Sequence, residues 1–416
     1  MQVLVVDNGA WKIKAGVIVS GNGEDVIQKP RMVTNGIVRQ TRGEKRMFFG
    51  HEFDHCKDHS SLHFRLPFER GLLTDWDAQK AVWDGLFSKS VLNVDTSDSA
   101  LLITEPYFNL PNIQEQYDQL VFEEYEFKEY YRCTPASLAP FGDLFGESAP
   151  ECMLIVDTGF SFTHIVPLVS GRILWEAVRR IDVGGKLLTN HLKEMLSYRQ
   201  LDLMGETYIT NEVKERCCYV SLDYSRDMEL ARSGSSQIVQ EYVLPNYSVG
   251  EGGRVRTSKE SAEGEEDVLR LGSERFAVPE VLFRPSDIGL KQSGLARTIA
   301  DAIGSVDTSL QGFKERLQAE LRTLAPTEFE VRIMESANPI CAAYFGGASL
   351  ARDGGIGKLG ITRGEYLESG SNAWRRRNDG GTDNDIDGAV KEVRESHLGH
   401  SDDKSDEHRR HSFIVH

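Results

Sequence analysis

Two stretches of the chain alternate in the same way. In VLVVDNGAWKIKAG an apolar run (3–6) meets Asp7-Asn8-Gly9 and returns through Ile13 and Ala15. In MLIVDTGFSFTHIVP an apolar run (153–156) meets Asp157-Thr158-Gly159 and returns through Phe162, Ile165 and Val166. Each reads as a strand, a turn and a second strand, and the pair suggests an internal duplication. Such turns aim backbone N–H groups into a concave anion site. A carboxylate at each strand end suits a hydrated divalent cation bridging phosphate oxygens. Asp-x-Gly is also ordinary tight-turn chemistry. Two copies, each after a four-residue apolar run, favour a phosphate clamp between two lobes.

Elsewhere the period shifts between 2 and 3.6. Apolar positions over 76–86 predict a helix that Thr74 or Asp75 caps. Residues 101–108 read as a buried strand and 113–127 as an amphipathic helix whose Glu123, Glu124 and Glu126 form a solvated face. A strand ends at Val183, Gly184-Gly185 permits close backbone approach, and a helix follows with Leu187, Leu188, Leu192, Met195 and Leu196 as its stripe. A further helix places Val213, Cys217 and Val220 on one face. The stretch 231–267 is a loop with an apolar island at 238–244; 297–303 and 314–324 read as helices and 329–334 as a strand. His51, His55, His59 and His63 recur every fourth residue beside Cys56, yet their spacing fits no common zinc signature, so a solvated segment is expected there. From about Ser369 apolar residues thin out, and the tail to His416 reads as disordered.

Composition narrows the function. The 416 residues carry a formal net charge of −16, which argues against direct binding of a phosphate backbone. Six scattered cysteines with no C-x-x-C pair read as reduced, intracellular usage. The N-terminal apolar run is broken by Asp7 and lacks a basic n-region, so no signal peptide is expected. Nothing is long and apolar enough to span a bilayer as a helix.

The two hairpins, the segment LPFERGLLTDWDAQKAVWD and the phrases TEPYFN (104–109), FEEYEF (122–127), GGKLLTNHLKEMLSYRQL (184–201), SRDM (225–228) and ERFAVPEVLFRPSDIG (274–289) line up in order with one family. The chain resembles the actin superfamily, and within it the nuclear actin-related branch. The resemblance implies a bilobal α/β fold, two RNase H-like lobes, each a mixed sheet flanked by helices, with nucleotide in the cleft. It implies a first lobe at 1–150 with 31–67 as outer subdomain, a second lobe at 151–368 with 182–260 as outer subdomain, and a disordered tail at 369–416. It also implies a nuclear, non-catalytic subunit of a SWR-type chromatin remodeller, the machine that exchanges the Z-type variant histone into nucleosomes. The expected partners are the remodeller's ATPase and a HIT-type zinc-finger protein, with histones met indirectly.

The family's site residues carry over unevenly. Asp7, Asn8, Gly9 and Lys14 match the first phosphate turn, and Asp157, Thr158 and Gly159 the second. Gly185, Lys214 and Glu215 match positions near the adenosine, and His164 the histidine near the attacking water. The expected ligand is ATP or ADP with magnesium held through water by Asp7 and Asp157, bound weakly or not at all in this form. Trp11 stands where actin has a glycine beside the phosphates, Phe160 where it has a second aspartate, and Thr134 near its water-orienting glutamine. Because orientation of that water is central to phosphoryl transfer, poor hydrolysis is expected. Between 305 and 314 the family's strand and Gly-rich cleft loop are missing, which implies a splice form or misjoined gene model with an opened core. An actin-fold ATPase outside chromatin and a filament-forming actin are the competing functions.

Overall fold

The structure is a computed structural model that describes residues 2–19, 27–42, 45–142, 152–235, 237–257, 266–304, 333–374, 376 and 412–415. Twelve strands among these residues build two central sheets: Arg179–Ile181, which pairs antiparallel with 163–165 beside the second, and eleven along the main paths. The eleven are β1 (Gln2–Asn8), β2 (Lys12–Val19), β3 (Arg31–Thr34), β4 (Ser99–Thr104), β5 (Glu129–Cys133), β6 (Cys152–Thr158), β7 (Thr163–Val169), β8 (Arg172–Ile173), β9 (Ile333–Glu335), β10 (Ile361–Thr362) and β11 (Ser412–Val415). The first sheet runs β10-β5-β4-β1-β2-β3 and the second β8-β7-β6-β11-β9. The mixed α/β, two-sheet architecture is the one expected.

β1 explains why the first hairpin reads as it does. It pairs antiparallel with β2 and parallel with β4, so it is central, and separate apolar clusters cover its two faces. A strand buried on both faces carries a continuous apolar run. Leu4 and Val6 face a core with helix α1 (Trp76–Phe87), which contributes Val82, Trp83 and Leu86. Val3 and Val5 face the other way, onto Tyr344, Ala348 and Leu350. Asp75 caps α1 by accepting from the Ala78 N–H.

The second hairpin is built alike. Leu154 and Val156 of β6 meet Leu295, Ala296 and Ile299. Met153 and Ile155 on the opposite face meet Tyr107, Ala136 and Ala139 of the first lobe. One face of the second sheet is therefore the junction between the lobes.

Four expectations need correction. The boundary at 151–368 does not separate the lobes, because residues 342–374 return to the first sheet. The helix Ala342–Arg352 packs on β1 and β2, and β10 pairs with β5. The helix shares the cover of this sheet's second face with Leu138, Phe141 and Ile356. The tail at 369–416 is not wholly disordered. Trp374 stacks edge-on with Tyr130 at 5.7 Å and donates to Asp118 at 3.3 Å, and Ser412–Val415 forms β11. The position expected to lie open in the second sheet is thus filled by β11, whereas 305–314 and the helix expected at 314–324 lie outside the described residues. The helix expected over 113–127 ends as α-helix at Gln119 and widens to a π turn over Leu120–Glu124. Its acidic residues stay on the solvent-exposed face as expected and make ion pairs or hydrogen bonds there: Glu124 pairs with Lys80, Glu126 with Arg363, and Glu123 accepts from the Tyr366 hydroxyl.

The histidine segment forms neither a helical stripe nor a metal site. Gly50–His55 is a 3-10 turn, His63 lies in the strand Leu62–Arg65, and no group of three potential ligands is gathered among the described residues. Phe53, Cys56 and Leu62 are buried with Val38 and Phe48 as a small core of the outer subdomain.

Candidate functional site

The turns of both hairpins open into one cavity of about 640 Å³ between the sheets. Asp7, Asn8, Gly9, Lys14, Asp157, Thr158, Gly159, Gly185, Lys214 and Glu215 all line it. A glycine is required at Gly9, where a Cβ would lie 2.6 Å from the Lys12 carbonyl oxygen, and at Gly184, where it would meet the Ser161–Phe162 backbone at 2.6–2.7 Å.

The charged groups around the two Asp-x-Gly turns are already engaged. Lys14 Nζ donates to Asp7 at 2.8 Å, and the Thr104 hydroxyl donates to the other Asp7 oxygen at 2.9 Å. Burial works against the Lys14 charge, but Asp7 more than offsets it and raises the lysine's pKa. Across the cleft, the Tyr107 hydroxyl donates to Asp157 at 2.9 Å and accepts from the Ala136 N–H at 3.1 Å. Burial, with Asp7 nearby, pushes the Asp157 carboxyl up to about 6, against the opposing pull of the Tyr107 hydrogen bond and Lys14. His164 lies 4.5 Å from the Tyr107 ring, and burial, then the Arg180 charge, bring its pKa down to about 4. At neutral pH it is uncharged.

In the same cavity two aromatic side chains meet. Trp11 of the first turn stacks on Phe160 of the second, with centroids 5.2 Å apart and planes 17° from parallel. Thr134 caps a turn and its hydroxyl bonds that of Ser137 at 2.9 Å, so one of its hydrogen-bonding sites is spent locally. Asn8 is also spent: its amide donates to Gln79 and Tyr117 and accepts from the Trp83 indole, inside the first-lobe core. Its side chain organises the turn and offers nothing to a ligand.

Around Gly185, Lys214 donates to the Gly185 carbonyl, Thr189 and Asn211 at 2.8–3.2 Å, and burial lowers its pKa. Glu215 accepts from Asn211 at 2.8 Å. The cavity's size and its Lys14 cation fit a phosphate-bearing nucleotide. The two carboxylates, each holding a protein donor, are a poor donor set for a hydrated magnesium ion.

A second set of contacts, the rim, lies outside the cavity lining. Glu206 accepts from the Ser61 N–H and hydroxyl at 2.8 and 3.0 Å. His59 stacks on Tyr208 at 4.5 Å, and Phe53 meets the same ring edge-on at 5.5 Å. These contacts join the outer subdomain of each lobe. Neither this bridge nor Tyr107 was identified from sequence as functional; Tyr107 lies in TEPYFN, but nothing in the sequence gives its distance to Asp157.

Comparison with known proteins places the chain in one family. The family described as Actin matches residues 1–312 and 306–379. The chain is 44% identical to "Actin-like protein ARP6" of Cryptococcus neoformans, over 90% of this chain and 84% of that protein. It is 36% identical to "Actin-related protein 6" of Drosophila melanogaster, over 88% and 97% of the two chains. The protein of the same name from Arabidopsis thaliana is also 36% identical, over 90% and 99%.

Proposed function

Because the chain belongs to the actin family, we propose that it is a non-catalytic, nuclear scaffold subunit of a SWR-type remodeller that exchanges the Z-type variant histone into nucleosomes. Its proposed contacts are the remodeller's ATPase and a HIT-type zinc-finger subunit, with nucleosomes reached through them. The likeness to actin-related protein 6 chains from fungi, an insect and a plant supports the branch. The Trp11–Phe160 stack carries the non-catalytic part of the reading. Two rings close over the turns at positions where actin keeps a glycine and an aspartate, and Thr134 is too short and too engaged to orient a water. Any nucleotide is held as a wedge between lobes, with Lys14 meeting its phosphates and Gly185, Lys214 and Glu215 at its nucleoside end. Magnesium takes no part in this reading.

The test is reconstitution of the remodeller with and without the chain. Association with the zinc-finger subunit and recovery of histone exchange are expected, with no steady ATP turnover by the chain alone. Sustained turnover by the isolated chain, or exchange that is indifferent to it, overturns the proposal.

A further inference from the structure

We infer that the second lobe is completed by strand addition: β6 and β9 leave a slot between them, and Ser412–Val415 of the same chain fills it. β6 and β9 do not pair with each other; β11 lies between them and runs parallel to both. Its register is continuous on each side, Met153 to Val156 against 412–415 and Ile333 to Glu335 against 413–415. On the β6 side the slot is lined by a backbone whose residues Leu154, Ile155 and Val156 are fully buried. N–H and C=O groups on such an edge have no water to turn to, so an empty slot is costly.

The occupant suits the slot. Phe413-Ile414-Val415 is the one run of three apolar residues after Trp374, set behind the highly charged SDDKSDEHRRH. A continuous apolar run is the sequence character of an interior parallel strand. A parallel neighbour also requires a crossover connection and cannot be reached by a tight turn. The 37 residues of 375–411 separate Trp374, on the first lobe, from Ser412. At about 3.3 Å per residue they can span up to roughly 120 Å, ample for the return. The slot recognises its occupant mainly through main-chain pairing, as strand-addition sites do.

The test compares the full chain with one lacking 412–416, with Phe413→Pro, Ile414→Pro and the conservative Ile414→Val. Proline removes a ladder donor that an interior strand needs. Truncation and either proline should strip amide-exchange protection from 153–156 and 333–335 and lower the Tm, while 3–6 of the first sheet and the valine variant stay protected. A synthetic peptide of residues 408–416 should restore the truncated chain. Collapse of the whole chain on removing five residues counts the same way, since a tail outside the core leaves the fold untouched. Unchanged protection and Tm after truncation overturn the inference. So does a dimer that dissociates on truncation, because the strand is then donated by a second copy.

Discussion

Trp11 and Phe160 stack across the two turns with ring centroids 5.2 Å apart, so an aromatic pair joins the lobes in the cavity that Lys14 and Asp157 also line. Such a pair contributes about 1 kcal/mol beyond the area it buries. A ligand at 100 times its Kd stabilises a native state by about 2.7 kcal/mol. With ATP and Mg²⁺ the full chain is expected to show a much smaller thermal shift. The double variant Trp11→Gly, Phe160→Asp, which removes both rings and adds a carboxylate, should show a larger one than the parent. A large saturable shift from the unaltered chain refutes this.

Tyr107→Phe removes the donor to Asp157 and the acceptor for the Ala136 N–H. Leaving buried polar groups unpaired costs about 1–3 kcal/mol. The expected result is a lower urea midpoint with an unchanged slope, because the lobes still bury the same surface. An unaltered midpoint means the bridge is slack.

Asp157 and His164 impose opposite pH dependences over nearly the same range. Asp157 titrates at about 6, above its ordinary 3.8, so between those values the native chain keeps a proton that the unfolded chain releases. Its contribution is full at the acid end and falls as pH rises towards 6. His164 titrates at about 4, below its ordinary 6.5, so the unfolded chain takes up the extra proton and stability rises with pH over that range. Relative to the parent, Asp157→Asn should make the Tm climb more steeply between pH 4 and 6.5. His164→Gln should turn the trend downward. Parallel curves for all three chains contradict these assignments.

The rim contacts predict a hinge. Tyr208→Ala with Glu206→Ala removes the stacking partner of His59 and both hydrogen bonds from Ser61. The outer subdomains should separate, increasing the radius of gyration in small-angle scattering while the sheets keep their exchange protection. Identical scattering from parent and variant shows that the rim does not hold the cleft closed.

Much of the frame is legible in the sequence because it rests on local patterns. Continuous apolar runs mark β1 and β6, the apolar returns after each Asp-x-Gly turn mark β2 and β7, and Asp75 marks the start of α1. The gathering of the site residues follows from the resemblance and the two turns. Other features depend on relationships that no local pattern contains. Tyr107 meets Asp157 across a lobe junction, 50 positions away. The helix Ala342–Arg352 is buried along most of its length, so its apolar residues do not say which sheet they cover. Ser412–Val415 is too short for its period to stand out from a charged tail. Asn8 matches a ligand position, yet its side chain turns into the core because Gln79, Tyr117 and Trp83 converge there.

The return of 342–374 to the first sheet also bears on how the chain is made. Tyr344 donates to the carbonyl of Gln28, 316 positions earlier, and with Leu350 covers Val3 and Val5. A ribosome will therefore have finished most of the second lobe before the first can close its own core. Until then one face of the β1 sheet has only part of its cover, from Leu138 and Phe141, and leaves an apolar surface of the kind that recruits chaperones during synthesis. The lobes look separate in the finished molecule, but they are braided in time, and vectorial synthesis cannot deliver the first as an independent folding unit.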